Sequence, residues 1–270
     1  MPIIVNNQPQ PEKTTDYRLS IQVDLNGFSF SVVNENDSGL LFLYASDFRM
    51  DGGETDDFVK KCSELFEQFS LLRSNYDNIN LIYNTHKYSL VPNMLYKKGD
   101  ELSILERHHK LDELDEVNTL TIPHESMVVI FAVNSTLVNL AKSYHPNLKL
   151  IPTLWLSLTY LPLYPEYNKL SFNYMKGFLT IVAAEGEKIV YCNSFPAHHF
   201  NTALYFLFLT IREVQFNPES TTIYISGNIR DFEKHDMTAY FSNIRYFRNP
   251  ETPLPNKYLE QKYSSLMFKI

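Results

Sequence analysis

Apolar and polar residues alternate along Leu19-Ser20-Ile21-Gln22-Val23 and again along Phe28-Ser29-Phe30-Ser31-Val32. A period of two sends successive side chains to opposite faces, so each run predicts a strand with an apolar face. The strands cover about 19–25 and 28–33, and Asn26-Gly27 between them is the favoured pair of a tight hairpin turn. Asn36-Asp37-Ser38-Gly39 then turns the chain into a third strand, about 40–45, which completes an antiparallel meander. Phe58, Cys62, Leu65, Phe66 and Phe69 recur at helical spacing. They predict an amphipathic helix from about 54 to 72, with acidic residues at its electropositive start. A fourth strand follows at 79–83.

About 150 residues later the order returns. Leu170-Ser171-Phe172-Asn173-Tyr174 and Gly177-Phe178-Leu179-Thr180-Ile181-Val182 open it. Strands are expected at 170–174, 178–183 and 189–194, a helix at 200–214, a strand at 222–226, a helix at 231–240 and a strand near 244–247 before a Pro-rich tail. The helix row Phe200, Leu204, Leu207, Phe208 and Ile211 reads as core, since it has a sheet face to cover. Between the copies, 88–117 is an elaboration with short helical pieces and a mixed-charge stretch. Strands at 119–122 and 127–133, a helix at 137–144 capped by Asn134-Ser135-Thr136, a short strand at 148–151 and the apolar run 154–163 complete that part. Meanders alternating with strand–helix–strand crossovers predict a mixed sheet covered by helices, formed twice. The expected organisation is a disordered lead-in at 1–16, a first subdomain at 17–153 elaborated at about 85–125, a linking apolar helix at 154–168, and a second subdomain at 169–270.

Charge narrows the function classes. Lys and Arg number 24 against 31 Asp and Glu, a net charge of −7, and Lys60-Lys61 and Lys97-Lys98 are isolated pairs. No basic patch offers a footprint for nucleic acid. The two cysteines, Cys62 on the first helix's apolar stripe and Cys192 in a strand, show neither metal spacing nor a disulfide framework, which suits a reducing compartment. Residues 1–16 lack the basic start and apolar stretch of a signal peptide, and 154–163, interrupted by Pro162, is too short to cross a bilayer. The expectation is a cytoplasmic protein with no membrane partner. His108-His109 and His198-His199 are neighbours whose side chains diverge, so no metal site is expected. Ribonuclease-like nucleases share the strand order. Asp24 and Glu64 could supply two of their carboxylates, but Asn84 and Asn228 stand where the third is needed.

A β-β-β-α-β-α-β unit repeated around an apolar helix resembles the actin-like ATPase superfamily of actin, sugar kinases and heat-shock chaperones. Val23-Asp24-Leu25-Asn26-Gly27-Phe28-Ser29-Phe30, Tyr88-Ser89-Leu90-Val91-Pro92, and Lys176-Gly177-Phe178 leading to Tyr191-Cys192-Asn193-Ser194-Phe195 resemble, more closely, family 3822 of the domains of unknown function, a Bacteroidetes group. The resemblance implies an α/β fold of duplicated ribonuclease-H-like units forming a two-subdomain actin-like ATPase. In a working ATPase or small-molecule kinase of this kind, ATP and magnesium would lie in a cleft. Asp24 would hold the metal or act as base, Asn26-Gly27 and Lys176-Gly177 would contact phosphates, and Gly227-Asn228 would border the adenine. The chain departs from that pattern in three ways. No carboxylate accompanies Gly177, where Lys176 stands instead; the adenosine position has one glycine where the superfamily has two; and Leu154-Trp155-Leu156-Ser157-Leu158 is bulky where small residues permit closure. The expectation is therefore a non-catalytic scaffold or adaptor with no cofactor, meeting a protein partner through 88–117.

Overall fold

Where alternation is strongest, strands form, and neighbouring strands follow the hairpin turns. The computed structural model describes residues 3–24, 27–47, 55–123, 125–175, 177–254 and 256–270. They fall into two compact units. The first comprises Met1–Thr121, Met127–Thr153 and Leu266–Ile270; the second comprises Ile122–Ser126 and Leu154–Ser265.

The first unit begins with β1 (Ile3–Asn6), then the meander β2 (Tyr17–Asp24), β3 (Gly27–Asn34) and β4 (Leu40–Asp47), the helix α1 (Thr55–Gln68) and β5 (Asn78–Tyr83). An inserted group follows: β6 (Tyr88–Pro92), α2 (Glu101–Glu106), β7 (Asp115–Ile122) and β8 (Met127–Asn134). The main sheet resumes through α3 (Ser135–Tyr144) and β9 (Lys149–Pro152). Its order is β1-β4-β3-β2-β5-β9, with β2 antiparallel to β3 and parallel to β5. Leu19, Ile21 and Val23 share a face with their register partners Val32, Phe30 and Phe28, and α1 covers it. Phe28 meets Phe66, and Phe30 meets Phe69, edge to face. Cys62 is wholly buried in that stripe, which pushes its thiol up to about 12.

The opposite face of this sheet is polar and equally buried. Arg18, Ser20, Ser31 and Asn80 are all withdrawn from solvent. Residues 266–270 lie over it. The Ser31 hydroxyl donates to the Leu266 carbonyl at 3.2 Å, Arg18 Nη2 to that of Met267 at 3.1 Å and Lys149 Nζ to that of Ile270 at 3.0 Å. Leu266, Met267 and Phe268 are fully buried, so the expected Pro-rich tail closes a core.

Two further expectations are corrected. The lead-in holds a strand: β1 pairs antiparallel with β4, Ile3 opposite Tyr44 and Val5 opposite Leu43, and so occupies an edge that would otherwise expose main-chain groups. The elaboration is an independent three-stranded sheet, β6-β8-β7. Its small core gathers Leu105, Val128, Ile130 and Ala132, with Val91 and Val117 packed against them.

The main part of the second unit opens within α4 (Thr153–Tyr160), at Leu154. Instead of one linking helix over 154–168, the helix stops at Tyr160 and a 3-10 turn covers Leu161–Leu163, where Pro162 has no N–H to continue the α-helical ladder. Buried Lys169 holds that turn, its ammonium donating to the carbonyls of Pro162 and Tyr164. The sheet comprises β10 (Asn168–Met175), β11 (Gly177–Glu185), β12 (Lys188–Ala197), β13 (Thr222–Gly227) and β14 (Asn243–Tyr246). The helices are α5 (Phe200–Glu213), α6 (Asp231–Thr238) and α7 (Lys257–Tyr263), the last again in the expected tail. The order β12-β11-β10-β13-β14 repeats β4-β3-β2-β5-β9 strand for strand. Leu170, Phe172, Ile181 and Ile225 face α5 through Ala203, Leu207 and Ile211. Among the described residues, no helix is long and apolar enough to cross a membrane.

Phe268→Ala is expected to cost about 3–5 kcal/mol, the usual penalty for emptying an aromatic core site. Urea unfolding should show a lower midpoint with an unchanged slope. A midpoint equal to wild type would mean that residues 266–270 do not hold this core.

Candidate functional site

In each unit the central strand ends at a two-residue turn, and an asparagine follows the end of the parallel strand beside it. In the first, Asp24 pairs with Gly27 across the turn, Val23 lies beside Tyr83, and the Asn84 amide donates to the Val23 carbonyl at 3.3 Å. In the second, Met175 pairs with Phe178, Tyr174 lies beside Gly227, and the Asn228 amide donates to the Tyr174 carbonyl at 2.7 Å. The registers make Met175 the counterpart of Asp24 and Phe178 that of Gly27. Gly177 therefore falls inside its turn, one place from the position that matching the two glycines would give it.

The second-unit glycines have local reasons to be glycine. Gly177 adopts φ +106°, the left-handed region, with the His198 ring nearby. Gly227 has φ +91°, and a Cβ there would stand 2.2 Å from the Tyr174 carbonyl oxygen. The carbonyls of Gly227 and Ile229 accept from the Gln261 amide at 3.2 and 2.5 Å, so α7 clamps this corner. In the first unit a tyrosine, Tyr83, fills the position of Gly227.

Beyond the ends of β2 and β5 the first unit has a cleft of about 230 Å³, lined in part by Val23, Tyr83, His86, Lys87, Asp115 and Asn134. Crevices outside the carboxyl ends of parallel strands are where α/β sheets accept ligands. Here the inserted sheet builds much of the wall. The Asn134 carboxamide oxygen accepts from the amides of Thr136 and Leu137 at 3.0 and 3.3 Å, capping α3. Lys87 Nζ lies 2.6 Å from both Asp112 Oδ2 and Asp115 Oδ2, and the latter also accepts from the Asp112 amide at 2.8 Å. Burial would lower the Lys87 pKa, but its bonds to Asp112 and then Asp115 outweigh that and raise it. Its hydrogen bond in turn lowers the carboxyl of Asp112. His86 is pushed down by burial first and by the Lys87 charge next, and the Tyr83 phenol is pushed up mainly by burial. One ammonium thus faces two carboxylates beside a neutral imidazole. A phosphate entering here would have to displace a carboxylate.

A family model described as a protein of unknown function, DUF3822, matches residues 6–249. The chain belongs to that family. Among solved structures, this DUF3822 chain is similar to a Bacteroides thetaiotaomicron protein with an actin-like ATPase fold and unknown function. The TM-score is 0.80 at 17% identity, over 96% of this chain and 98% of that one. It is also similar to the PilM-PilN type IV pilus biogenesis complex, with a TM-score of 0.57 at 12% identity over 93% and 96% of the two chains. The ethanolamine utilization protein EutJ from Carboxydothermus hydrogenoformans gives 0.50 at 12% identity over 98% and 93%. At these identities the likeness establishes the fold, and the DUF3822 chain has the actin-like ATPase fold that the strand order implied. No curated protein matches it.

Of the nucleotide candidates, Gly177, Gly227 and Asn228 gather at the ends of β10 and β13, while Asp24 and Gly27 flank the first-unit turn. Asn26 and Lys176 lie outside the described residues. Among the described residues no group of three or more His, Cys, Asp or Glu side chains is placed to hold a metal. The sequence reading passed over His86, Lys87, Asp112 and Asp115 as part of the elaboration. Asp112-x-x-Asp115 leads into β7 and Lys87 stands directly before β6, but nothing local joins the two segments.

The cluster predicts a pH-dependent stability. Asp112, lowered in the folded state, contributes above about pH 4 and loses that contribution as pH falls through its folded value; Lys87, raised, contributes below about pH 10 and loses it as pH climbs through its own. Lys87→Met should cost about 1–3 kcal/mol at neutral pH by leaving the poorly exposed Asp115 without this ammonium. Urea midpoints of variant and wild type should converge in acid as Asp112 protonates; a gap as wide in acid as at neutrality would assign the loss to packing alone.

Proposed function

We propose that this DUF3822 protein is a non-catalytic cytoplasmic scaffold or adaptor built on the actin-like fold, with the nucleotide chemistry of that fold lost. The observation that carries the reading is Met175 at the register position of Asp24. Metal-assisted phosphoryl transfer needs carboxylates or polar donors held around Mg²⁺ and the phosphates, and a thioether supplies neither charge nor a strong acceptor. The counter-charged Lys87 supports the same reading. So does the fact that Gly227 and Asn228 are each explained by contacts with Tyr174, with no adenosine required.

The adaptor half of the proposal rests on the inserted sheet. Segment 88–117 carries exposed Met94, Leu95 and Leu102 beside its own small core. Flexible methionine and leucine side chains left in water suit a protein surface. The structure carrying PilM is itself that of a protein complex, PilM-PilN, which fits an actin-like fold that serves by holding a partner.

Thermal denaturation with and without ATP and magnesium tests the proposal. A ligand at a hundred times its dissociation constant stabilises by about 2.7 kcal/mol. The expected result is an unchanged midpoint for wild type and for Asp24→Ala, with no phosphate released. A midpoint raised by the nucleotide in wild type but not in Asp24→Ala would replace the adaptor with a divergent ATPase or kinase. Gly227→Val is unsuited to this test, because its side chain would strike the Tyr174 carbonyl whether or not a nucleotide binds.

A further inference from the structure

α5 and α1 occupy the same place in their units. Each has fourteen residues, follows the three-stranded meander and covers the apolar face of its sheet. Their outer faces differ. α1 turns Asp57, Lys60, Lys61, Glu64 and Glu67 to solvent, as expected of a helix on a protein surface. α5 turns out Tyr205, Phe208 and Leu209, exposed by 59%, 37% and 40%. Tyr240, just past α6, is exposed as well and meets the Phe208 ring edge to face at 5.2 Å. Phe208 was expected in the core; it stacks on buried Phe241 yet leaves over a third of its surface in water. The fold does not require an apolar outer face here, since α1 does without one.

The stripe has a pattern. Residues 205, 208, 209 and 212 are spaced i, i+3, i+4, i+7, a single face of a helix, and the fourth is exposed Arg212. An antiparallel copy of the same helix, related by a two-fold axis passing between Phe208 and Leu209, sets Phe208 against Leu209 and Tyr205 against Arg212. Each guanidinium then lies over an aromatic ring, a favourable cation–π arrangement. A parallel copy would set Arg212 against Arg212. None of these four positions is a carboxylate, and the exposed Glu213 flanks the stripe beside Leu209 and Arg212. We infer that this face binds a second copy of the same chain, α5 against α5, antiparallel and isologous.

The exposed apolar area is on the order of 400 Å² per chain, given that a large aromatic side chain carries roughly 150–250 Å². Stable complexes bury about 800 Å² per partner. The dimer is accordingly a weak one.

Sedimentation equilibrium of the full chain from about 1 to 500 µM tests this. The wild-type mass should climb from 31.5 kDa towards twice that value. Leu209→Glu, which sets a carboxylate against Phe208 of the other copy, and Tyr205→Arg, which sets arginine against Arg212, should each weaken association at least tenfold while melting as wild type does. Should Leu209→Glu fail to fold, Tyr205→Arg carries the test, on a side chain more than half exposed. Under mild oxidation the double variant Tyr205→Cys/Arg212→Cys should crosslink between copies more readily than either single variant. A wild-type mass fixed at 31.5 kDa throughout, variants that associate as tightly as wild type, or Tyr205→Cys alone crosslinking as well as the double variant would each overturn the inference.

Discussion

The polar face of the first sheet has no access to water, and the unit's architecture follows from how its groups are satisfied. A buried hydrogen-bonding group left unpaired costs about 1–3 kcal/mol, so the buried Arg18 and Ser31 need acceptors that a covering helix, with its carbonyls committed to itself, could not supply. Residues 266–270 supply them as main-chain carbonyls, while Leu266, Met267 and Phe268 fill the space between. Arg18 and Met267 are 249 positions apart in the chain, so the first core is closed by a very long loop. Ser20 and Asn80, register partners in the middle of this face, keep side-chain atoms with no hydrogen-bond partner in the protein.

Two sheets with one strand order can be compared position by position, and the comparison separates what the fold needs from what chemistry would need. The asparagine amide bound to the central strand's last carbonyls recurs in both units at Asn84 and Asn228, so it belongs to the fold. The acidic residue at the first turn does not recur, because Met175 takes its place. Gly227 is demanded by the Tyr174 carbonyl, whereas Tyr83 is tolerated at the corresponding point. Features that fold geometry already explains lend no weight to a nucleotide site, and few features remain that it does not explain.

The elements with strong periodicity were legible in the sequence. Leu19 to Val23, Phe28 to Val33 and the α1 stripe all formed within a few residues of the expected bounds, because alternation and helical spacing are imposed by the core they build. Ile3–Asn6 was not, since four residues show too little alternation to stand out and the strand exists only by pairing with β4. The burial of the polar face of β2 has no local signature: alternation marks the apolar face, and only the tertiary fold buries Ser20 and Gln22. The cleft was illegible for another. Lys87 finds Asp112 and Asp115 25 and 28 positions away, and no local pattern encodes a pairing of that separation. Phe208 was misplaced because a helix apolar on most sides looks the same in sequence whether a sheet or a second molecule covers the extra face.

The two units also treat their shared liabilities differently. An edge strand offers unpaired main-chain groups to any passing chain. On β4 the chain's own β1 takes that place. On β12, the counterpart edge, individual donors are removed: the Ile189 amide goes to the Glu125 carboxylate at 3.1 Å, the Ser194 amide to the Asn193 side chain at 2.8 Å, and Pro196 has no N–H to offer. An edge guarded in this way is poorly suited to recruiting partners by strand addition. Association in the second unit is then left to side chains, and the large apolar ones left in water there include those of α5 and its neighbour Tyr240, as well as Leu163, Tyr167, Val190 and Phe232. The same template has thus been finished with a charged helix and a covering strand in one unit, and with a blunted edge and an apolar helix in the other. That division of surfaces is what a protein needs if its fold is kept for binding while its nucleotide turns are free to diverge.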